Sequence, residues 1–237
     1  MKSSLVVLTT LLVAGTASAQ PLGQPLEQPP EPAPAARSPR WSIDLGPHVR
    51  WFGDTSGAIL TTEPLAGGRV TLGRSLTQVT AGHRALDLGV FARWVSASSI
   101  GAIFQDLATN VSQHAFTAGV RIDTPLLWRV RLVAQAELGM ARTALAVTAG
   151  EMTVVDDHSW GMLGAASLGA DLALADKPRF RLGLGVDLGY TVASPASLRA
   201  LPGDRPSEDL SIPTTYASIG KLDTRGWTYV MSMRGSF

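Results

Sequence analysis

The chain has 237 residues, of which 45% are hydrophobic, 16% are charged and 6% are aromatic. It contains no cysteine, which excludes disulfides, thiolate metal sites and cysteine nucleophiles. Its 20 lysines and arginines stand against 19 aspartates and glutamates. This balance gives no electrostatic case for nucleic acid as a partner.

Two segments precede any regular pattern. Residues 1–19 carry Lys2, an apolar run and small residues up to Ala19, a layout that predicts a cleaved export signal. Residues 20–40 hold seven prolines, and we interpret them as an extended proline-rich spacer in the periplasm. No later apolar run is long enough for a spanning helix. Residues 41–237 are therefore predicted to form one β domain.

From residue 41 onward the sequence alternates with period two, which predicts strands with one apolar face. In FRLGLGVDLGY, apolar residues at every second position from Phe180 to Tyr190 oppose arginine, aspartate and glycine. The same division occurs in WSIDLGPHVRWF, AGGRVTLGR, LDLGVFARW, FTAGVRID, WRVRLVAQAELGM, WGMLGAASLGADLAL and GWTYVMSMRGSF. The sequence thus predicts eight strands. Pro47 argues against a regular first strand, because proline has no N–H and a closed sheet pairs every strand N–H.

The predicted connections alternate between long and short along the chain. They run over residues 53–64, 76–84, 96–112, 124–127, 142–158, 175–179 and 191–225. Long loops at one end and short turns at the other are typical of a closed up-and-down membrane barrel. Ten strands remain an alternative, because residues 210–223 could form an additional hairpin.

Large aromatic side chains fall at the ends of the predicted strands. Three pairs are ten positions apart: Trp41 with Trp51, Phe180 with Tyr190, and Trp227 with Phe237. Ten residues of strand rise about 33 Å, which a tilt of about 45° projects onto the roughly 25 Å apolar band of an outer-membrane barrel. The residues predicted to form aromatic girdles at the two interfaces are Trp41, Trp51, Trp94, Trp128, Trp160, Phe180, Tyr190 and Trp227.

With these features, residues 41–237 resemble the eight-stranded outer-membrane barrels of Gram-negative bacteria, the family of the OmpA transmembrane domain and OmpX. The fold implied is all-β, a closed up-and-down antiparallel transmembrane barrel. In that family, a last strand ending in Phe after alternating hydrophobic residues is the signal read by the barrel-assembly machinery. The resemblance implies that outer-membrane lipid, lipopolysaccharide and this machinery are partners. It assigns the assembly signal to Tyr229, Met231, Met233 and Phe237, with Gly235 where an aromatic residue is common.

The polar track of each predicted strand lines the barrel interior. An eight-stranded barrel is just wide enough for its inward side chains to fill it. Isolated ions there carry a large desolvation penalty, so we interpret the inward charges as a salt-bridge network that plugs the lumen. The lining of a narrow pore is the alternative. The predicted network is Asp44, Arg50, Arg69, Asp87, Arg93, Arg121, Asp123, Arg129, Arg131, Glu137, Asp171, Arg181, Asp187 and Arg234.

An enzymatic role would need a site, and the sequence offers little for one. Some eight-stranded barrels modify lipid A, and one such deacylase family uses a His-x-Ser pair. None of the four histidines begins such a pair: His48 is predicted inward, His114 outward, and His83 and His158 in connections. Acidic loop residues could hold a divalent cation, although a solvated loop is the simpler interpretation. They are Glu151, Asp156, Asp157, Asp204, Glu208 and Asp209.

The leading hypothesis is a non-enzymatic integral outer-membrane protein with an envelope-structural or surface-interaction role. No catalytic residue, resident metal or cofactor is predicted. The alternatives are a narrow solute channel, a lipid A-modifying enzyme, and a soluble secreted barrel with a ligand cavity. Fold alone does not separate these roles.

Overall fold

Eight antiparallel strands close into a ring in the computed structural model, which describes residues 40–53, 63–81, 84–103, 107–177, 180–199 and 218–237. The ring strands are β1 (Trp41–Phe52), β2 (Leu65–Ala81), β3 (Arg84–Ile103), β4 (Leu107–Pro125), β5 (Val130–Ala149), β6 (Met152–Lys177), β7 (Phe180–Ala193) and β10 (Gly226–Ser236). Two short strands, β8 (Ala196–Arg199) and β9 (Ser218–Leu222), pair outside the ring. The predicted eight-stranded all-β barrel is thus confirmed. The predicted export signal, and the predicted spacer up to residue 39, lie outside the described residues.

Ring closure fixes the tilt of the strands. Starting at Trp51, direct pairing leads round the ring through Trp227, Tyr190, Ala166, Ala136, Val120, Val90 and Arg74 to Trp41. The circuit therefore returns to β1 ten residues before its start. For eight strands, a shear of ten corresponds to a tilt of roughly 40°.

The seam between the first and last ring strands is closed by backbone bonds. The amide of Trp41 donates to the carbonyl of Phe237 at 3.0 Å, and the amide of Phe237 donates to the carbonyl of Trp41 at 2.9 Å. We call this end of the barrel the turn end. The other end, where Phe52 pairs with Gly226, is the loop end.

Pro47 is accommodated without a bulge. The β1–β2 ladder runs through Pro47, which pairs with Gly68. In the β1–β10 ladder, pairing is interrupted between Leu45 and His48 and resumes in the same register. The missing N–H of proline thus removes pairing locally and does not shift the strands.

Side-chain burial alternates along most of the strand length, with the polar track inside. In β7, Leu184, Val186 and Leu188 are exposed, whereas Arg181 and Asp187 are buried. The barrel exterior is therefore apolar over this stretch. Within the described residues, no helix is long and apolar enough to cross a membrane.

The long strands β3 to β6 correct several predicted connections. Residues 96–103, 107–112, 142–149 and 152–158 belong to strands, so the predicted connections 96–112 and 142–158 are mostly wrong. Asp156, Asp157 and His158 accordingly lie in β6, and only Gly150 and Glu151 of that predicted loop lie in a turn. The predicted turn 76–84 is also too long, because β2 extends to Ala81.

The physical reason is that the apolar face changes sides. In β3, Val90 and Trp94 face outward, but Val95 and Ala97 are buried inside. Sequence reasoning that followed the outward apolar track ended each strand at this switch, although the backbone continues as strand. At the far end of the chain, β9 falls within the suggested extra hairpin at residues 210–223, yet it pairs with β8 and leaves the ring at eight strands.

Candidate functional site in the barrel lumen

A connected group of buried charges in the lumen centres on Arg234. Its Nε and Nη2 donate to the two carboxylate oxygens of Asp44 at 2.6 and 3.0 Å, and its Nη1 donates to Asp171 at 2.9 Å. Arg121 lies 3.5 Å from the same Asp44 carboxylate. One guanidinium thus holds two carboxylates from strands β1 and β6 in a fork geometry that favours arginine over lysine.

A more exposed group of charges lies towards the turn end. Arg121 Nε donates to Asp123 at 2.7 Å, and Arg131 donates to Asp87 at 3.0 Å. Arg181, a further predicted member of the network, lies 4.0 Å from exposed Asp176. A cavity of about 90 Å³ remains among these side chains.

Arg129 was predicted to belong to the lumen network, and this prediction is wrong. It lies in the turn before β5, is exposed, and places its guanidinium carbon 4.0 Å from the ring centroid of Trp128. Because β5 begins only at Val130, residue 129 does not continue the inward track. The other thirteen predicted members are buried or half-buried on the lumen side.

The middle of the lumen contains two further ion pairs. Arg69 donates to Asp187 at 2.8 Å, and Arg93 donates to Glu137 at 2.7 Å. Glu137 also accepts a hydrogen bond from Thr117 at 2.9 Å. Arg93 is fixed further by polar and aromatic neighbours that sequence reasoning did not single out: Thr71, Gln135 and Phe91. Their inward positions in the alternating sequence pattern are the feature from which they could have been predicted to line the lumen.

Arg50, nearer the loop end, has a neutral partner. Its Nη1 donates to the side-chain oxygen of Gln113 at 2.5 Å. Gln113 in turn donates to Thr143 at 3.0 Å and to Thr224 at 3.3 Å. Among the described residues, the hydrogen-bond chain that starts at Arg50 therefore consists of an amide and hydroxyl groups.

Apolar side chains occupy the loop end of the lumen. A small buried cluster consists of Val95, Ala115, Ala141 and Leu163. A larger core includes residues from the long strands and from the β8–β9 hairpin: Leu65, Ala97, Val111, Leu145, Val147, Val155, Ala196, Leu198 and Leu222. We call the β8–β9 hairpin with its core contacts the cap. Leu198 and Leu222 are 2% and 3% exposed, so the hairpin is packed as tightly as a domain core.

Glycines on the inward track make room for the ion pairs. A Cβ added at Gly169 would meet the carboxylate of Asp187, and one added at Gly183 would meet the carboxylate of Asp171. Each glycine thus provides the space that an acidic partner occupies. Any larger residue at these positions would displace the carboxylate from its arginine.

The eight predicted girdle aromatics all lie on the exterior and are exposed. Trp51, Trp227 and Tyr190 form a row on neighbouring strands, and Tyr190 meets Trp227 edge-on at 5.4 Å between ring centroids. Trp94 and Trp160 lie inside long strands, so their predicted position at strand ends is wrong. The reason is again that β3 and β6 continue beyond the apolar exterior.

The predicted assembly-signal residues lie along the outer face of β10. Met231, Met233 and Phe237 are exposed, and Tyr229 is half-buried. Their alternation with buried Val230, Ser232 and Arg234 matches the predicted division of this strand into two faces.

Nothing in the described ranges forms a metal centre. No group of three histidine or acidic side chains there could hold a metal ion. His48 is buried in the lumen, and His114 lies on the outer face between Ser96 and Arg142 of the neighbouring strands. His83, Asp204, Glu208 and Asp209 lie outside the described residues.

Comparisons with known proteins find similarity in structure and none in sequence. No protein-family model matches the chain, and no curated protein matches it in sequence. Among solved structures, the attachment invasion locus protein Ail of Yersinia pestis has a TM-score of 0.45 at 13% identity, covering 84% of this chain and 99% of that one. Neisserial surface protein A has a TM-score of 0.42 at 13% identity, covering 86% and 98%. The outer membrane protein OprG from Pseudomonas aeruginosa has a TM-score of 0.43 at 13% identity, covering 85% and 97%.

The matched proteins are eight-stranded outer-membrane barrels, the type that the sequence resembles. The likeness is one of fold.

Proposed function

We propose that this chain is a non-enzymatic integral outer-membrane barrel with a closed lumen, serving an envelope-structural or surface-interaction role. The observation that carries the proposal is the inverted distribution of side chains. Large apolar residues cover the exterior and ion pairs fill the interior, which is stable in lipid and unfavourable in water. A water-soluble protein would not leave so many leucines, valines and tryptophans exposed.

The dimensions of the apolar exterior support a membrane location. Ten strand residues separate Trp41 from Trp51, and at a tilt of roughly 40° they span about 25 Å. This equals the usual apolar height of an outer-membrane barrel. The switch of the apolar face from outside to inside at Trp94 and Val95 supports the position of the loop-side interface.

Strands β3 to β6 continue beyond this interface as a four-stranded sheet. Pairing of β2 with β3 ends at Ser98, whereas β3 and β4 remain paired up to Ile103. The outward side chains of this extension include small and polar residues such as Ser98 and Asn110. A water-exposed paired sheet of this kind offers a surface for interaction, which favours this role over transport.

The decisive experiment is membrane fractionation combined with gel mobility before and after heating. An integral barrel is expected in the outer-membrane fraction, resistant to extraction at high pH, with a mobility that changes on boiling. Recovery as a soluble, heat-insensitive protein would refute the proposal. Steady conductance in planar bilayers would instead support the channel alternative, and altered lipid A after deletion of the protein would support the enzymatic one.

A further inference from the structure

A small cavity near the loop side of the lumen has an unusual lining. Its volume is about 30 Å³, and its charged and titratable lining consists of His48, Arg50, Arg69, Arg93, Glu137 and Asp187. All six residues are buried or nearly so. The polar part of its wall also includes Thr117, Gln135, Ser167, Thr191 and Thr228.

Within the described part of the chain, three buried nitrogen atoms of this lining have no hydrogen-bond partner. They are Nε of Arg50, Nε of Arg69 and Nδ1 of His48, and each of these residues is 3% exposed. The two guanidinium nitrogens are obligatory donors, and His48 Nδ1 donates in one of its two neutral tautomers. Buried donors without an acceptor are costly, and three around one cavity indicate that an acceptor belongs there.

The charges of the lining do not cancel. Arg50, Arg69 and Arg93 contribute three positive charges, against one each from Glu137 and Asp187. Both carboxylates are already engaged, because Asp187 accepts from Arg69 and Glu137 accepts from Arg93. Among the described residues, Arg50 donates only to a neutral amide. One positive charge is therefore left over in a buried site.

We propose that this cavity binds one small monovalent inorganic anion of the size of chloride. The volume exceeds that needed for a single water molecule, roughly 10–15 Å³, but is too small for an organic carboxylate with a chain. A water molecule satisfies donors without compensating charge, whereas a halide does both. The apolar cluster of Val95, Ala115 and Leu163, which also lines the cavity, excludes competing solvent on the loop side.

This inference is independent of the role proposed for the exterior. The ion would be enclosed as the barrel closes and would act as an internal counterion of Arg50. It would exchange slowly, because the cap and the ion pairs lie on either side of it.

The test is to refold the full chain in sodium bromide and crystallise it, with bromide as the probe. An anomalous peak at the bromine edge, within hydrogen-bond distance of Arg50 and Arg69, is the expected result. Arg50→Met removes the surplus charge and is expected to abolish the peak. Arg74→Met, on the outer face, is the matched control and should retain it. Absence of the peak in the wild-type protein, with water alone in the cavity, overturns the proposal.

A solution measurement complements the crystal. The unfolding midpoint of the wild-type protein, refolded at constant ionic strength, should rise with the fraction of chloride relative to gluconate. Arg74→Met should behave in the same way, and Arg50→Met should lose the dependence. Equal midpoints in chloride and gluconate for the wild-type protein would contradict the proposal, whether or not Arg50→Met folds.

Discussion

Replacing Arg234 by methionine tests the ion-pair network at its most connected point. The substitution keeps a long, unbranched side chain and removes three hydrogen bonds, two to Asp44 and one to Asp171. Both carboxylates are almost fully enclosed, so they lose their partner without gaining water. Breaking a buried pair by removing one partner typically costs about 3–5 kcal/mol.

Arg121 moderates the expected loss, because it lies 3.5 Å from Asp44 and remains in the variant. We therefore expect Arg234→Met to lower the free energy of unfolding by about 3 kcal/mol, or roughly two orders of magnitude in the unfolding equilibrium. Urea titration in lipid vesicles, with the folded fraction taken from unheated gel mobility, measures this value.

Arg129→Met is the matched control, since Arg129 is exposed and contacts only the ring of Trp128 among the interactions described. Its loss should stay within about 1 kcal/mol. Equal losses for the two variants would refute the reasoning, because they would mean that enclosure of the ion pairs has no energetic consequence.

Three further substitutions address the exterior, the glycine track and the cap. Leu168→Arg places a charge on the apolar exterior and should lower the free energy of unfolding in vesicles by about 2–4 kcal/mol. Ser98→Arg, beyond the proposed interface, should lower it by only about 0–1 kcal/mol. Equal losses would contradict the proposed position of the apolar band. Gly183→Ala adds a Cβ against a carboxylate of the network and should cost about 1–3 kcal/mol by urea titration. Gly68→Ala, where nothing lies within 4 Å, should be nearly neutral, and the opposite order would contradict the packing. Leu198→Asp buries an unpaired carboxylate, which should destabilise the cap without unfolding the barrel. Limited proteolysis should therefore cut the cap faster than in the wild-type protein, while the gel mobility still changes on heating. An unchanged cleavage rate would contradict tight packing of the hairpin.

The ring strands were predictable because apolar and polar residues alternate along them with the period of a β-strand. Within the apolar exterior, the strands present apolar residues at one parity and mostly charged residues, polar residues or glycine at the other, as in β7. That pattern gave the number of ring strands and the side on which thirteen of the fourteen network residues lie. It could not give the pairing of charges, because Arg69 reaches Asp187 across 118 positions of sequence.

The cap was not predictable for a different reason. Towards the loop end, beyond the apolar exterior, apolar residues such as Val111 and Leu145 are buried inside, so the parity of the pattern reverses. A reversal of parity has the same local appearance as the end of a strand. The four-residue β8 is too short to carry a periodic signal, and its partner begins nineteen positions further on, at Ser218.

Hydrogen bonds and ion pairs that cross the lumen affect whether a solute could pass through the barrel. Arg69 on β2 binds Asp187 on β7, and Arg50 on β1 binds Gln113 on β4. In the ring order these partners stand three strands apart, so the bonds cross the bore instead of following its wall. A continuous water path would require breaking such contacts at more than one level and also displacing the apolar cap. Each broken pair leaves charges that the narrow interior solvates poorly, whereas interaction at the exposed sheet requires none of these changes. These contacts across the bore therefore favour the proposed surface role over conduction.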